Sequence, residues 1–298
     1  MFFHRNVIRI SLALLTALGL SACASLFSPE PTATPTATFT PEPPTATPEP
    51  LALTVNGEGL TLEEFDAEVA RYIAAREALG ETIASADATS AVIEDLTAQM
   101  LLAQGARAEG FTLDEAALQS RLDSLAAQIG GAANLSQWQA DHGYSEQTFR
   151  SALKRAAEAA WMRDKIIAAV PGTVEQVHVQ QILLYNQETA QSFLLQLDGG
   201  ADFDELASRA DPLTRGDLGW VPRGYLLDES IEEAAFALSV GGHSQVITTD
   251  VGFHILRILE RDPERPLSPD ARLALQELAL KKWVEDQHLQ ATIILAPT

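Results

Sequence analysis

Apolar residues recur every three or four positions through most of residues 61–169, whereas the middle of the chain breaks into short strand-like apolar runs. The chain turns at Val55-Asn56-Gly57, and Thr61-x-x-Glu64 has the form of a capping box opening a helix on which Phe65, Val69, Tyr72 and Ile73 share a face. Further helices are predicted at about 89–109, from Thr112-x-x-Glu115 to Ile129, and from Ser145 to about Ala169. Phe149, Leu153, Ala156, Ala160 and Trp161 mark one face of the last of these. Gly130-Gly131 and Pro171-Gly172 punctuate the series. A final helix is predicted from Ser268-Pro269, with serine as cap and proline at the first helical position, to about His288, before a short strand at Ala291–Leu295. Neither helical flank alone is large enough to bury a sound core, so the two are expected to pack on each other.

Between the flanks, Val177–Leu184 reads as a strand, followed by helices through Ala190–Leu197 and Phe203–Arg209. Gly216-Asp217-Leu218-Gly219-Trp220 makes a turn into a second strand. Glu229–Leu238 is helical, and Ser244–Thr248 and His254–Leu259 complete the set as strands.

The ends and the charge change the picture. His4, Arg5 and Arg9 precede an apolar run, Ile10–Leu20, too short to cross a bilayer as a mature helix, which is the form of a signal sequence over residues 1–22. Leu20-Ser21-Ala22-Cys23 resembles the lipobox of bacterial lipoprotein precursors, making Cys23 the expected lipidation site; an ordinary secretory signal with an incidental cysteine is the alternative. As Cys23 is the sole cysteine, the chain forms no internal disulfide. Ser28–Pro50 is almost wholly Pro, Thr, Ala and Glu, with Pro-Thr-Ala-Thr-Pro at 31–35 and again at 44–48. In polyproline II it would span roughly 70 Å, so residues 23–50 read as a lipidated stalk anchoring the protein to a membrane. Forty-one acids against 20 bases give a formal charge of −21, which argues against nucleic acid as a partner and favours solubility or weak attraction to basic unfolded chains.

The run Gly216-Asp217-Leu218-Gly219-Trp220, then Ala235-Phe236-Ala237-Leu238, Gly242, Ser244, Thr249 and Gly252-Phe253-His254-Ile255, resembles the parvulin-type (PpiC/rotamase) peptidyl-prolyl cis–trans isomerases over roughly Glu175–Glu260. The surrounding order of a turn, amphipathic helices, an inserted module and a closing helix is similar to the SurA and PrsA class of extracytoplasmic foldases. The resemblance implies an α+β fold in which a parvulin-like four-stranded antiparallel sheet with surrounding helices is inserted between N- and C-terminal helical segments forming a SurA-like chaperone domain. On that reading residues 51–172 are the N-terminal chaperone-like region, 173–262 the isomerase domain, and 263–298 a C-terminal helix and strand packing on the helical region. Its clients would be unfolded secreted or envelope proteins with X-Pro bonds. It implies no cofactor and no metal.

An X-Pro amide turns over slowly because rotation breaks amide resonance, a barrier of about 18–20 kcal/mol. A pocket that grips the proline ring, excludes water and favours the twisted amide lowers that barrier without a nucleophile. By resemblance the ring pocket is lined by Leu218, Leu226 and Ile231; Phe236, behind it, reads better as plain core. The polar centre of the family is two histidines on adjacent strands with an acidic residue or cysteine nearby. His254 stands at the second histidine position, and Gln181 stands where the first is expected. Glutamine can hydrogen-bond His254 and hold its tautomer but cannot titrate. His178, three residues away, faces the other side of a regular strand. The acidic position falls on Asp211 in Ala210-Asp211-Pro212, where capping a turn is the alternative role. Val251 replaces the serine of some relatives. Tyr185-Asn186-Gln187-Glu188 replaces a basic cluster, so phosphoserine-proline selectivity is not expected. His243, on a Gly-Gly-His turn, is expected to be exposed and silent.

No metal-binding spacing of histidines or cysteines, phosphate loop or Gly-x-Ser-x-Gly elbow is present. Two functions remain: an active extracytoplasmic isomerase, or a client-binding chaperone whose isomerase module is weak or inactive. A solute-binding lipoprotein would need two α/β lobes that the pattern does not supply.

Overall fold

The structure, a computed structural model, describes residues 49–226 and 228–296. The signal sequence, Cys23 and nearly all of the stalk lie outside the described residues. Among those described, no helix is long and apolar enough to cross a membrane.

The Asn56-Gly57 turn closes a hairpin between β1 (Leu51–Val55) and β2 (Glu58–Thr61), both turn residues taking positive φ, 53° and 84°. Thr61 then caps α1 (Leu62–Ala78) in the expected capping box with Glu64. Helices α2 (Ser85–Ala108), α3 (Glu115–Gln128), α4 (Ala132–Asp141) and α5 (Glu146–Ala168) follow. Two details differ from expectation. Asp114, not Thr112, caps α3, its side chain accepting from Ala117 N. Between Gly131 and Gly143 the chain forms α4, which the pattern did not predict; its N-cap is Gly131, with no side-chain cap to betray it.

The middle begins with β3 (Thr173–Leu184), then α6 (Gln187–Asp198), α7 (Phe203–Ala210), β4 (Asp217–Pro222), α8 (Glu229–Ala237), β5 (Ile247–Thr248) and β6 (Phe253–Pro266). The four strands form one antiparallel sheet in the order β4-β3-β6-β5. β3 and β6 run past the core as a polar ribbon to the Thr173–Pro266 pair, where the Gln176 amide donates to the Arg265 and Pro266 carbonyls. The expected strand from Ser244 shortens to Ile247–Thr248. Ser244 instead is fastened to Leu256, its N–H donating to the Leu256 carbonyl and its hydroxyl accepting from Leu256 N.

The chain closes with α9 (Pro269–Gln290), capped by Ser268, and β7 (Ile293–Leu295). β7 pairs with β1, giving a second sheet in the order β2-β1-β7 from the two ends of the described chain. Leu53, Val55, Leu60, Phe65, Leu96 and Met100 make a core against which Trp283 and Ile293 pack, so the helical flanks do pack together. A methyl group added at Gly105 of α2 would meet the Trp283 ring at 2.7 Å, a measure of how close α9 lies. The sheet of the middle segment has its own two cores, one on each face, and they share no residue with those of the helices.

Candidate active site

Alternation along β3 sends Val177 and Val179 to the face covered by α8 and Ile182 to the face covered by α6 and α7. Gln181 belongs to the α8 face. It pairs with Leu256, two residues from His254, while Leu183 pairs with His254 itself, so Gln181 and His254 are diagonal neighbours on one face. The His254 ring Nδ1 lies 3.0 Å from Gln181 Oε1, and its Nε2 lies 2.9 Å from Thr249 Oγ1. With the amide oxygen accepting, Nδ1 carries the hydrogen and Nε2 accepts from the threonine hydroxyl. Thr249 Oγ1 in turn accepts from Val251 N. The network is that of a neutral ring in one tautomer. Burial, His254 being 7% exposed, pushes its pKa below the usual 6.5 against the opposing pull of the Asp228 carboxylate.

A pH effect follows. Because the folded state holds the proton less tightly than the unfolded chain, His254 contributes its stability fully above about pH 6.5, and that contribution is lost as pH falls through the lower folded value. The urea midpoint is expected to fall between pH 7.5 and pH 5.5, and to fall less in His254→Gln; equal slopes in the two proteins would contradict the assignment.

Leu218, Leu226 and Ile231 all join the cluster of Val177, Val179, Leu256 and Phe236 on this same face. Phe236 is 6% exposed with the Arg223 guanidinium 4.0 Å from its ring centre, in keeping with a core residue. Gly216, at φ 70°, brings β4 against β3: Gln181 N donates to Gly216 O at 2.8 Å, and a Cβ on Gly216 would overlap the Gln181 carbonyl.

Of the two roles open to Asp211, the structure displays the cap. Its carboxylate accepts from Leu213 N at 3.0 Å, Thr214 N at 3.2 Å and the Thr214 hydroxyl, bonds that hold its pKa below the usual range, the Thr214 hydroxyl first among them. It makes no hydrogen bond to His254 or Gln181. The carboxylate whose charge His254 feels is instead that of Asp228, the N-cap of α8. That residue went unsingled in the sequence, where only its place before Glu229-Ser230-Ile231 marked it as a cap. Thr249 was visible as part of the family run but had no assigned role.

His178 lies on the opposite side of β3, 2.8 Å from Asp217 Oδ1 and stacked 5.4 Å from Trp220, so it does not stand in for a second active-site histidine. His243 is partly buried where an exposed residue was expected, and it lies 3.8 Å from Asp198 Oδ1. Among the described residues no group of histidine, cysteine or acidic side chains is close enough together to hold a metal ion.

The family model "Rotamase: PPIC-type PPIASE domain" matches residues 184–260. The foldase protein PrsA of Geobacillus sp. (strain WCH70) is 34% identical over 98 residues, 31% of this chain and 35% of its own. The parvulin-like PPIase of Rickettsia bellii (strain RML369-C) is 30% identical over 143 residues, 44% of this chain and 50% of its own. Among solved structures, the peptidylprolyl isomerase PrsA of Bacillus cereus aligns with 70% of this chain and 84% of its own at 19% identity and a TM-score of 0.44. The chain thus spans between a third and a half of the length of these two curated relatives. Residues 184–260, with the His254 network and the apolar cluster beside it, are a rotamase domain of the PpiC, or parvulin, family.

Proposed function

We propose that this protein is an extracytoplasmic peptidyl-prolyl cis–trans isomerase and foldase, held to a membrane by a lipid on Cys23, that acts on secreted or envelope proteins by non-covalent twisting of X-Pro bonds. The observation that carries the reading is the 3.0 Å contact between Gln181 and His254 on the sheet face that bears Leu218, Leu226 and Ile231. These three side chains hold the proline ring. A twisted amide has lost its resonance and part of its polarity, so a wall of Leu, Ile and Val favours it over the planar form. Gln181 fixes the imidazole in one tautomer. Its amide nitrogen, which has no protein acceptor among the described residues, is left to donate to the substrate carbonyl. Asp211 acts indirectly, by shaping the turn that sets Gly216 against Gln181. Residues 51–172 and 263–298, joined through β1 and β7, hold the client while the 173–262 module works on it.

The replacement of a titratable histidine by Gln181 favours a second reading, a client-binding chaperone with a weakly active module. Exchange NMR on an Ala-Pro peptide, which needs no coupled protease, separates the two. The isomerase reading predicts exchange well above the uncatalysed rate, which is lost in His254→Ala. Exchange at background in a folded protein, with aggregation suppression that survives His254→Ala, would support the chaperone instead.

A further inference from the structure

Asp228 lies two residues after Leu226 and three before Ile231, both of which belong to the apolar cluster that the ring would meet. As the N-cap of α8 it is fixed in place: Oδ1 accepts from Ser230 N at 2.9 Å, the Ser230 hydroxyl at 2.5 Å and Ile231 N at 3.1 Å. Its other oxygen takes no hydrogen bond among the described residues. No lysine or arginine neutralises it there either. Arg223 and Arg261 pair with Glu175, and Arg257 with Asp204 and Gln180 on the far face of the sheet. Its charge is felt at His254, where it works against the burial that lowers the imidazole pKa. The Thr249–Gly252 turn, which carries Asp250, packs through Gly252 against Leu184 and Tyr185.

We infer that Asp228 is a specificity-determining residue, which makes the site prefer an X-Pro bond whose preceding residue is lysine or arginine over one preceded by an acidic residue. This rests on the module accepting X-Pro peptides, as proposed above. The ring enters between Leu226 and Ile231, so the side chain before the proline lies at the rim where the fixed carboxylate waits. A cation there pairs with the Asp228 carboxylate, and an acidic or phosphorylated residue meets repulsion instead. The effect is solvent-screened and therefore modest and salt-dependent.

The test is binding of three labelled peptides, identical but for Lys-Pro, Ala-Pro or Glu-Pro, to the full chain, read by fluorescence anisotropy at low and high salt, with exchange NMR on the same peptides. At low salt Lys-Pro is expected to bind about five-fold more tightly than Glu-Pro, the size of a partly exposed ion pair, with the gap closing at high salt. Asp228→Asn keeps the cap acceptor and loses the charge, so it should lose the gap, while Asp250→Asn should keep it. Equal binding of the three peptides by the wild type, or an undiminished gap in Asp228→Asn, overturns the inference. A charge preference in binding with no exchange on any peptide would contradict the isomerase reading and leave the role of Asp228 standing.

Discussion

Gly216→Ala is expected to destabilise the isomerase module by about 4 kcal/mol, a large share of the roughly 5–15 kcal/mol that holds a domain folded. Two independent costs add. Gly216 sits at φ 70°, a conformation that an alanine adopts at a penalty of about 1 kcal/mol or more. In addition, a Cβ placed there would lie 1.8 Å from the Gln181 carbonyl oxygen and 2.9 Å from its carbon, and both are main chain, so no side-chain rotation relieves the overlap. β4 must move away from β3, breaking the Gln181 N–H to Gly216 O bond and carrying Leu218 off the face that bears His254. Urea unfolding should show the loss, and hydrogen exchange should place it in β3, β4 and β6. A variant with wild-type stability would mean that the two strands do not approach so closely.

The second large effect lies far from the site. Glu158 of α5 is 1% exposed, and its carboxylate is held by Arg107 of α2 at 2.5 Å and by Leu113 N at 3.3 Å. Arg107 also reaches Glu58 of β2 at 2.5 Å, so one guanidinium ties together the hairpin and two helices. Arg107→Ala leaves a carboxylate in the interior without its cation and is expected to cost about 3 kcal/mol, the usual penalty for breaking a buried pair from one side. Because the helical cores and the sheet cores share no residue, the damage should stay local. Amides of α2 and α5 should exchange faster while those of β3 and β6 keep their protection. Equal loosening of both regions would contradict a local effect of the Arg107–Glu158 pair.

Where the chain announced its structure, it did so through local chemistry. Thr61 with Glu64, Ser145 and Ser268-Pro269 start helices at the expected places because a cap needs only its own first turn. α4 was illegible because its cap is a bare glycine. The far ends of β3 and β6 were illegible for another reason. Beyond Glu260 the strand carries Arg261, Asp262, Glu264 and Arg265, a solvated ribbon with no apolar face to give it a period. The pairing of β1 with β7 joins residues more than 230 positions apart, and no short-range pattern encodes it.

The site divides in the same way. The family resemblance set Gln181 against His254 and strand alternation excluded His178; the two side chains meet at 3.0 Å. The acidic partner was not recoverable from the sequence. Asp211 aligned with the family's acidic position, yet its carboxylate turns back on Leu213 and Thr214, in a loop where Arg215 takes φ 56°. The charge that His254 feels comes from a helix cap 17 residues further along, brought in by packing alone.

The central claim is that a glutamine carbonyl orients the active-site imidazole as well as a second histidine would, with no proton passing between the two side chains. The most direct test compares catalysed Ala-Pro exchange by the wild type and by Gln181→His. An active wild type and a variant within a few-fold of it are expected. A wild type at the uncatalysed rate, with Gln181→His restoring exchange by two orders of magnitude, would contradict it and identify the site as one that has lost its activity.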